Sequence, residues 1–368
     1  MMGQDALDGF HDPRLAQAIS REIHAIRVNR PVRLMHVCGT HEHAIARAGL
    51  RALLPEHVRL IAGPGCPVCV CPARDVDRAI NAARRDGVTL ASFGDMFRVP
   101  ASASSFEETR AEGSDIRIVY SPMDAVRFAR EHQERQVVFM AVGFETTAGP
   151  IAAALADDAP ANFSILPSLR LIPPALRFLL ARAPGSIDGF VLPGHVSVIL
   201  GREGYSFLES EYGMPAVIAG FEPLDILRAV HDLLLQVARG GRGTVSNLYR
   251  RAVHDEGNPK AREMIGRFFE EADAPWRGIG TIPLSGLVLR PAYERFDAAK
   301  KLGLPEINTG VDVRPGCQCH LVILGEVEPE ECFLFGGECS PRNPYGPCMV
   351  SSEGTCRARF QYRGYMRS

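Results

Sequence analysis

No cysteine lies between Cys71 and Cys317, although the 368-residue chain holds ten. They crowd into Cys38, Cys66, Cys69 and Cys71 near the start and into six positions from Cys317 to Cys356 near the end. Disulfide staples belong mainly to small secreted domains, whereas a chain of this length that is 46% hydrophobic buries a large core without them, so the thiols need a chemical explanation. Also missing is any apolar run near the roughly 18 residues of a membrane span, and the opening MMGQDALDGFHDP has neither the basic nor the apolar region of a signal segment. A formal net charge of −2 with the two signs interspersed gives no electrostatic footprint for nucleic acid or anionic lipid. The expectation is a cytoplasmic protein with reduced thiols, a protein partner or small ligand, and no membrane or nucleic acid. No Walker A sequence, radical-SAM CxxxCxxC pattern, solenoid repeat or Ser-rich linker occurs.

What is present reads as α/β. Asp12-Pro13 is an N-cap followed by proline at the first helical position, and Leu15, Ile19, Ile23 and Ile26 recur at helical spacing. Short apolar runs of the buried-strand type follow at 32–37, 58–62, 88–93, 116–120 and 137–142, with helical stretches between several of them. A second set has strands at 163–166, 189–192 and 216–219 and helices at 174–183 and 223–237; 258–272 and 292–302 read as helical. The expected architecture is two α/β domains with largely parallel sheets around a central cleft, plus a Cys-rich C-terminal domain. The expected ranges are 12–37 for the first helix and strand, 38–139 and 140–285 for the two domains, and 286–368 for the last.

Four unusual motifs fall just after strands. Cys38-Gly-Thr-His41-Glu42 follows the first strand, Gly63-Pro-Gly-Cys66-Pro-Val-Cys69 the second, Gly143-Phe-Glu145-Thr-Thr147 the fifth, and Pro193-Gly-His195-Val-Ser197 a strand of the second set. Ligands of open parallel sheets bind outside the carboxyl ends of strands, so these motifs are expected to converge on one cleft. Each taken singly also reads as a helix cap or tight turn.

Cys66 and Cys69 form a CxxC at a helix start, a pair able to cycle between dithiol and disulfide, to ligate a metal, or to sit buried and inert. Cys38 is open to three readings: metal ligand beside His41, Cys-His nucleophile, or structural thiol. A helix beginning near Thr40 is expected to lower its pKa. Six thiols within the last segment, Cys317, Cys319, Cys332, Cys339, Cys348 and Cys356, would supply four ligands to an iron–sulfur or zinc site and leave two over.

Taken together, CGTHE at 38–42, GPGCPVC at 63–69, GFETT at 143–147, PGHVS at 193–197 and CMVSSEG at 348–354 resemble the HypD family of hydrogenase maturation factors over nearly the whole chain. The resemblance implies a scaffold for assembling the Fe(CN)2CO group of [NiFe]-hydrogenases, working with a HypC-type chaperone and a HypE-type cyanide donor. It implies that Cys38 holds the iron with His41 close by, that Cys66 and Cys69 are the cleft dithiol and further metal ligands, and that Glu145 and His195 belong to the reactive cleft. It implies a [4Fe–4S] cluster on Cys317, Cys332, Cys339 and Cys356, with Cys319 and Cys348 as a redox pair. Cys71, and His320 where the family commonly has glycine, depart from its pattern. The alternative is a stand-alone [4Fe–4S]-dependent thiol–disulfide oxidoreductase; a structural zinc protein is a third reading.

Overall fold

A computed structural model describes residues 12–307 and 311–363, so the opening segment read above for targeting signals lies outside the described residues except for its last two. Eleven strands are described in chain order: β1 Val32–His36, β2 Val58–Ala62, β3 Val88–Ser92, β4 Asp115–Ile118, β5 Gln136–Gly143, β6 Phe163–Arg170, β7 Gly189–Pro193, β8 Ala216–Ala219, β9 Val245–Asn247, β10 Phe269–Trp276 and β11 Gly280–Leu289. They form an all-parallel sheet in the order β2-β1-β7-β8-β9 and a second sheet in the order β10-β11-β6-β5-β3-β4, parallel except at β11 and β10. The fold is α/β with mostly parallel sheets, as expected, and no described helix is long and apolar enough to cross a membrane.

The sheets are not divided by chain order. β1 and β2 share a sheet with strands far downstream, joined through the β1–β7 pairing, while β3 to β6 build the other sheet, so the chain crosses between sheets after β2, after β6 and after β9. An apolar run reports that a strand is buried but not which sheet receives it. A second difference is the antiparallel hairpin β10–β11. The helix expected over 258–272 runs Pro259–Phe268 and then becomes strand, because Phe269 and Ala272 extend the apolar spacing of Met264, Ile265 and Phe268 by coincidence.

The N-terminal helix runs Pro13–Ala25, with the Asp12 carboxylate accepting the Arg14 N–H. The largest apolar cluster takes in Met35, Ile61, Val138, Leu192 and Trp276 together with Val322, Leu334 and Met349, so one core joins both sheets to the C-terminal segment. Separate clusters cover the outer faces of the two sheets.

Strand order fixes where a site can form. In the first sheet the chain leaves β1 toward β2 on one side, whereas β7 and β8 build outward on the other, so the switch point lies between the carboxyl ends of β1 and β7. In the second sheet the corresponding point lies between β3 and β5. Cys38 and His195 stand at the first, Asp95 and Glu145 at the second.

Candidate functional site

Cys38 is the N-cap of the Gly39–Arg47 helix and is buried. Burial pushes its thiol up to about 12, outweighing the backbone N–H groups of His41 and Thr40 that point at the sulfur. The lowering expected from the helix start is therefore overturned by desolvation, and a bound cation is what would favour the thiolate there. The His41 imidazole hydrogen-bonds the Gly220 carbonyl at 2.9 Å and lies against Phe221, and burial lowers its pKa to about 3, so it is neutral. Its Nδ1 has no partner among the described residues. Glu42 anchors the motif: it takes both Arg51 guanidinium hydrogens and His36 Nε2 at 2.7 Å, and these partners overcome burial to hold it at about 2.

The second motif packs directly on the first. A side chain on Gly65 would sit 2.1 Å from the Cys38 nitrogen, and the Gly39 N–H donates to the Gly65 carbonyl, so only glycine allows this approach. Cys66 caps the short Pro67–Val70 helix, and Cys69 donates to its sulfur from both its backbone N–H and, at 2.6 Å, its thiol. Burial first, then the neighbouring sulfurs of Cys348 and Cys66, raises Cys69 well above the usual thiol range. Cys71 faces away, its sulfur 3.3 Å from Ser168 Oγ, and burial holds it at about 12.

His195 is exposed and stacks on Phe221 at 4.0 Å, so one phenyl ring separates it from His41. Ser197 donates to the Pro193 carbonyl, the capping role open to it from sequence. Glu145 is buried; its Oε1 accepts the Ile172 N–H, its Oε2 has no partner among the described residues, and burial raises it to about 7. Buried Tyr205 meets Ser197 Oγ and feels the charges of both Glu145 and Cys38, which places the four strand-end motifs around one interior.

Sequence reading missed Tyr205 and three further residues here. Glu353 reaches the cleft from the C-terminal segment, accepting from Thr40 Oγ1 at 3.2 Å; burial raises its pKa, and its charge acts on Cys38. Asp95 accepts from Ser351 Oγ, Ser352 N and Ser352 Oγ, which fixes the loop carrying Glu353. Asp95 follows β3, so the strand-end rule applied to every strand would have found it. Arg277 is buried and donates to the carbonyls of Cys71, Pro100 and Asp312. Nothing in its spacing marks it.

All six C-terminal cysteines line one small cavity of about 20 Å³. Cys319, Cys339, Cys348 and Cys356 are buried, while Cys317 and Cys332 are partly exposed. The nearest sulfur neighbours are Cys317 with Cys319, and Cys348 with both Cys356 and Cys69. A hydrogen bond from Cys319 lowers Cys317, and hydrogen bonding from Cys356 together with the neighbouring Cys69 thiol holds Cys348 well below the thiol range. Among the described residues no three His, Cys, Asp or Glu side chains converge as ligands of a single ion. A polynuclear cluster asks for something else: it stands between its thiolates and holds them apart. The donor set is soft sulfur throughout, and the Arg277 guanidinium, whose Nη2 lacks a partner, acts electrostatically on Cys317 and Cys319. Buried positive charge beside several thiolates suits an anionic iron–sulfur cluster.

Comparison with known proteins places this geometry in context. The family model HypD, described as "Hydrogenase formation hypA family", matches residues 14–363. The chain is 44% identical over 367 residues to "Hydrogenase maturation factor HypD2" of Bradyrhizobium diazoefficiens, covering 96% of each. It is 44% identical to "Hydrogenase maturation factor HypD" of Azotobacter vinelandii over 97% of this chain and 96% of that one. To the Escherichia coli protein of that name it is 44% identical over 91% and 90%.

Proposed function

The chain belongs to the HypD family of hydrogenase maturation factors, and from that premise we propose that it is the scaffold on which the Fe(CN)2CO group of [NiFe]-hydrogenases is assembled, with a HypC-type chaperone and a HypE-type cyanide donor. The observation that carries this reading is the convergence of the two cysteine-bearing ends of the chain. The Cys38 backbone packs on Gly65, next to Cys66; Cys66 and Cys69 are hydrogen-bonded, Cys69 neighbours Cys348, and Cys348 neighbours Cys356 on the wall of the C-terminal cavity.

Iron is the cargo. Thiolate is a soft ligand suited to iron bearing cyanide and carbon monoxide, and Cys38 is the thiol enclosed by all four motifs. Neutral His41 and exposed His195 line its approach, and Glu145, poised near pH 7, can give or take a proton there. For cyanide delivery, one thiolate of the Cys66/Cys69 pair attacks the donor sulfur. The S–CN bond breaks with its electron pair leaving on cyanide, and a mixed disulfide forms. The second cysteine then closes the Cys66–Cys69 disulfide and frees the donor as a thiol. Reopening that disulfide takes two electrons and two protons.

A [4Fe–4S] cluster held by Cys317, Cys332, Cys339 and Cys356 would supply electrons singly, making residues 286–368 the iron–sulfur segment. Cys348 lies between that cavity and Cys69, with Cys319 beside Cys317, so this chain's thiols carry the reducing equivalents inward. A reducing, cytoplasmic setting accords with ten free thiols among the described residues. The test is infrared spectroscopy of the protein purified anaerobically with its HypC-type partner after co-expression with the donor system. Cyanide and carbon monoxide stretches on the complex support the reading; an iron–sulfur protein that never carries them, yet turns over disulfides, favours the stand-alone oxidoreductase.

A further inference from the structure

Arg277 sits where three segments of the chain meet. Its backbone N–H donates to the Val70 carbonyl at 2.9 Å and its Nε to the Cys71 carbonyl at 2.6 Å, which grips the segment just after the Cys66/Cys69 pair. Its Nη1 is shared between the carbonyls of Pro100 and Asp312. The next residue presses on the loop that carries Cys317 and Cys319: a side chain on Gly278, whose φ is +69°, would stand 2.6 Å from both His320 Cβ and Val313 Cγ2. Asp312 closes the junction by accepting the N–H groups of Ala73 and Gly278, each at 2.7 Å.

This junction accounts for the shape of the side chain but not for its charge. Three carbonyls ask for N–H donors, which a neutral amide also has. Arg277 is 2% exposed, and a guanidinium so far from water is costly unless negative charge stands near it. Among the described residues no carboxylate pairs with it: it meets Asp312 at the carbonyl, while that carboxylate is turned to two backbone N–H groups. Its Nη2 has no partner among the described residues, and its charge acts on Cys317 and Cys319, both on the cavity wall.

We propose that Arg277 is a positioning residue for electron entry, a fixed counter-charge that raises the reduction potential of the group held by the C-terminal thiols; the inference rests on the proposed [4Fe–4S] cluster. One electron added there deepens a negative charge beside the guanidinium, and the attraction favours the reduced form. No bond forms or breaks at Arg277, and the guanidinium keeps its proton throughout.

The test is a potentiometric titration of the full chain, reconstituted anaerobically, with dithionite as the reductant and the electron paramagnetic resonance of the reduced cluster as the readout. The unsubstituted protein is compared with Arg277→Gln, Arg277→Lys and Arg21→Gln, a control on the exposed face of the N-terminal helix. Asp312 is present in all four, so its own field cancels in the comparison. Arg277→Gln keeps N–H donors and loses the charge, so its ratio of reduced to oxidised cluster at a fixed potential is expected to fall about tenfold, which is about 59 mV for one electron. Arg277→Lys and the control are expected to stay close to the unsubstituted protein at neutral pH. Should Arg277→Gln hold no cluster, Arg277→Lys decides alone: an ammonium loses its proton as pH rises and a guanidinium does not, so a gap from the unsubstituted protein should open between about pH 7 and pH 10, and a gap that does not change with pH overturns the inference. An unchanged potential in Arg277→Gln overturns it too. So does an Arg277→Lys potential shifted at neutral pH as far as that of Arg277→Gln, which would assign the effect to the lost carbonyl contacts. An unsubstituted protein that takes up no cluster overturns the cluster reading, and this inference with it.

Discussion

The Cys69 and Cys348 thiols are neighbours, so the two cysteine-bearing ends of the chain meet at sulfur. Two long α/β stretches without a cysteine are the frame that makes this contact, and the shared core of both sheets with Val322, Leu334 and Met349 holds it in register.

That contact predicts a block in Cys348→Ala. After one oxidising turnover, reductant supplied through the C-terminal segment should reopen the Cys66–Cys69 disulfide in the unsubstituted protein and leave it closed in the variant. Differential alkylation with mass spectrometry reads the difference. Equal reopening would mean that the dithiol is reduced directly from solution.

Asp95→Asn should loosen the Glu353 loop without unfolding the chain. The carboxylate accepts three hydrogen bonds from Ser351 and Ser352, and bonds to a charged acceptor contribute about 1.5–3 kcal/mol each at most. Amide exchange at 351–354 should rise while the strands keep their protection. Unchanged exchange there would show that Gly39 packing against Glu353 is sufficient by itself.

Glu42 gives an acid limb to stability. Its folded pKa, about 2, lies below its ordinary value of 4.5, so its contribution is complete above pH 4.5 and is lost as pH falls toward 2. Glu42→Gln should flatten that limb. It should also cost about 3 kcal/mol or more at neutral pH, because it leaves the Arg51 charge without its carboxylate. Denaturant titrations across pH 2 to 7 check both.

Glu145 has the opposite sign. Its folded pKa, about 7, lies above its ordinary value of 4.5, so its burial is tolerated below pH 4.5 and costs stability as pH rises through 7. Glu145→Gln keeps an oxygen for the Ile172 N–H and should stabilise the protein at pH 8 by about 2 kcal/mol, with no gain at pH 4. Loss of iron-cyanide formation in a variant so stabilised would separate a chemical role from a structural one.

Much of the frame was legible in the sequence. β8 runs Ala216–Ala219, the same limits its apolar run suggests, because a fully buried parallel strand has no polar face to blur the signal; β2 also keeps its expected limits, Val58–Ala62, although Arg59 is exposed. The Asp12-Pro13 helix start was equally plain, since proline and an N-cap residue act locally. Sheet membership was not legible, because the partner of β1 lies on β7 and nothing local in either strand names the other. Within the site, thiols and histidines in motifs stood out. Asp95, Tyr205, Arg277 and Glu353 did not, since their roles come from contacts made only after distant segments pack.

The central claim is that Cys38 holds the iron while the C-terminal thiols serve a separate group. Infrared spectra and visible absorption of anaerobically purified Cys38→Ala, taken beside the unsubstituted complex with its HypC-type partner, test it most directly. The account predicts loss of the cyanide and carbon monoxide stretches with the brown iron–sulfur absorption retained. Stretches that persist in Cys38→Ala would contradict it.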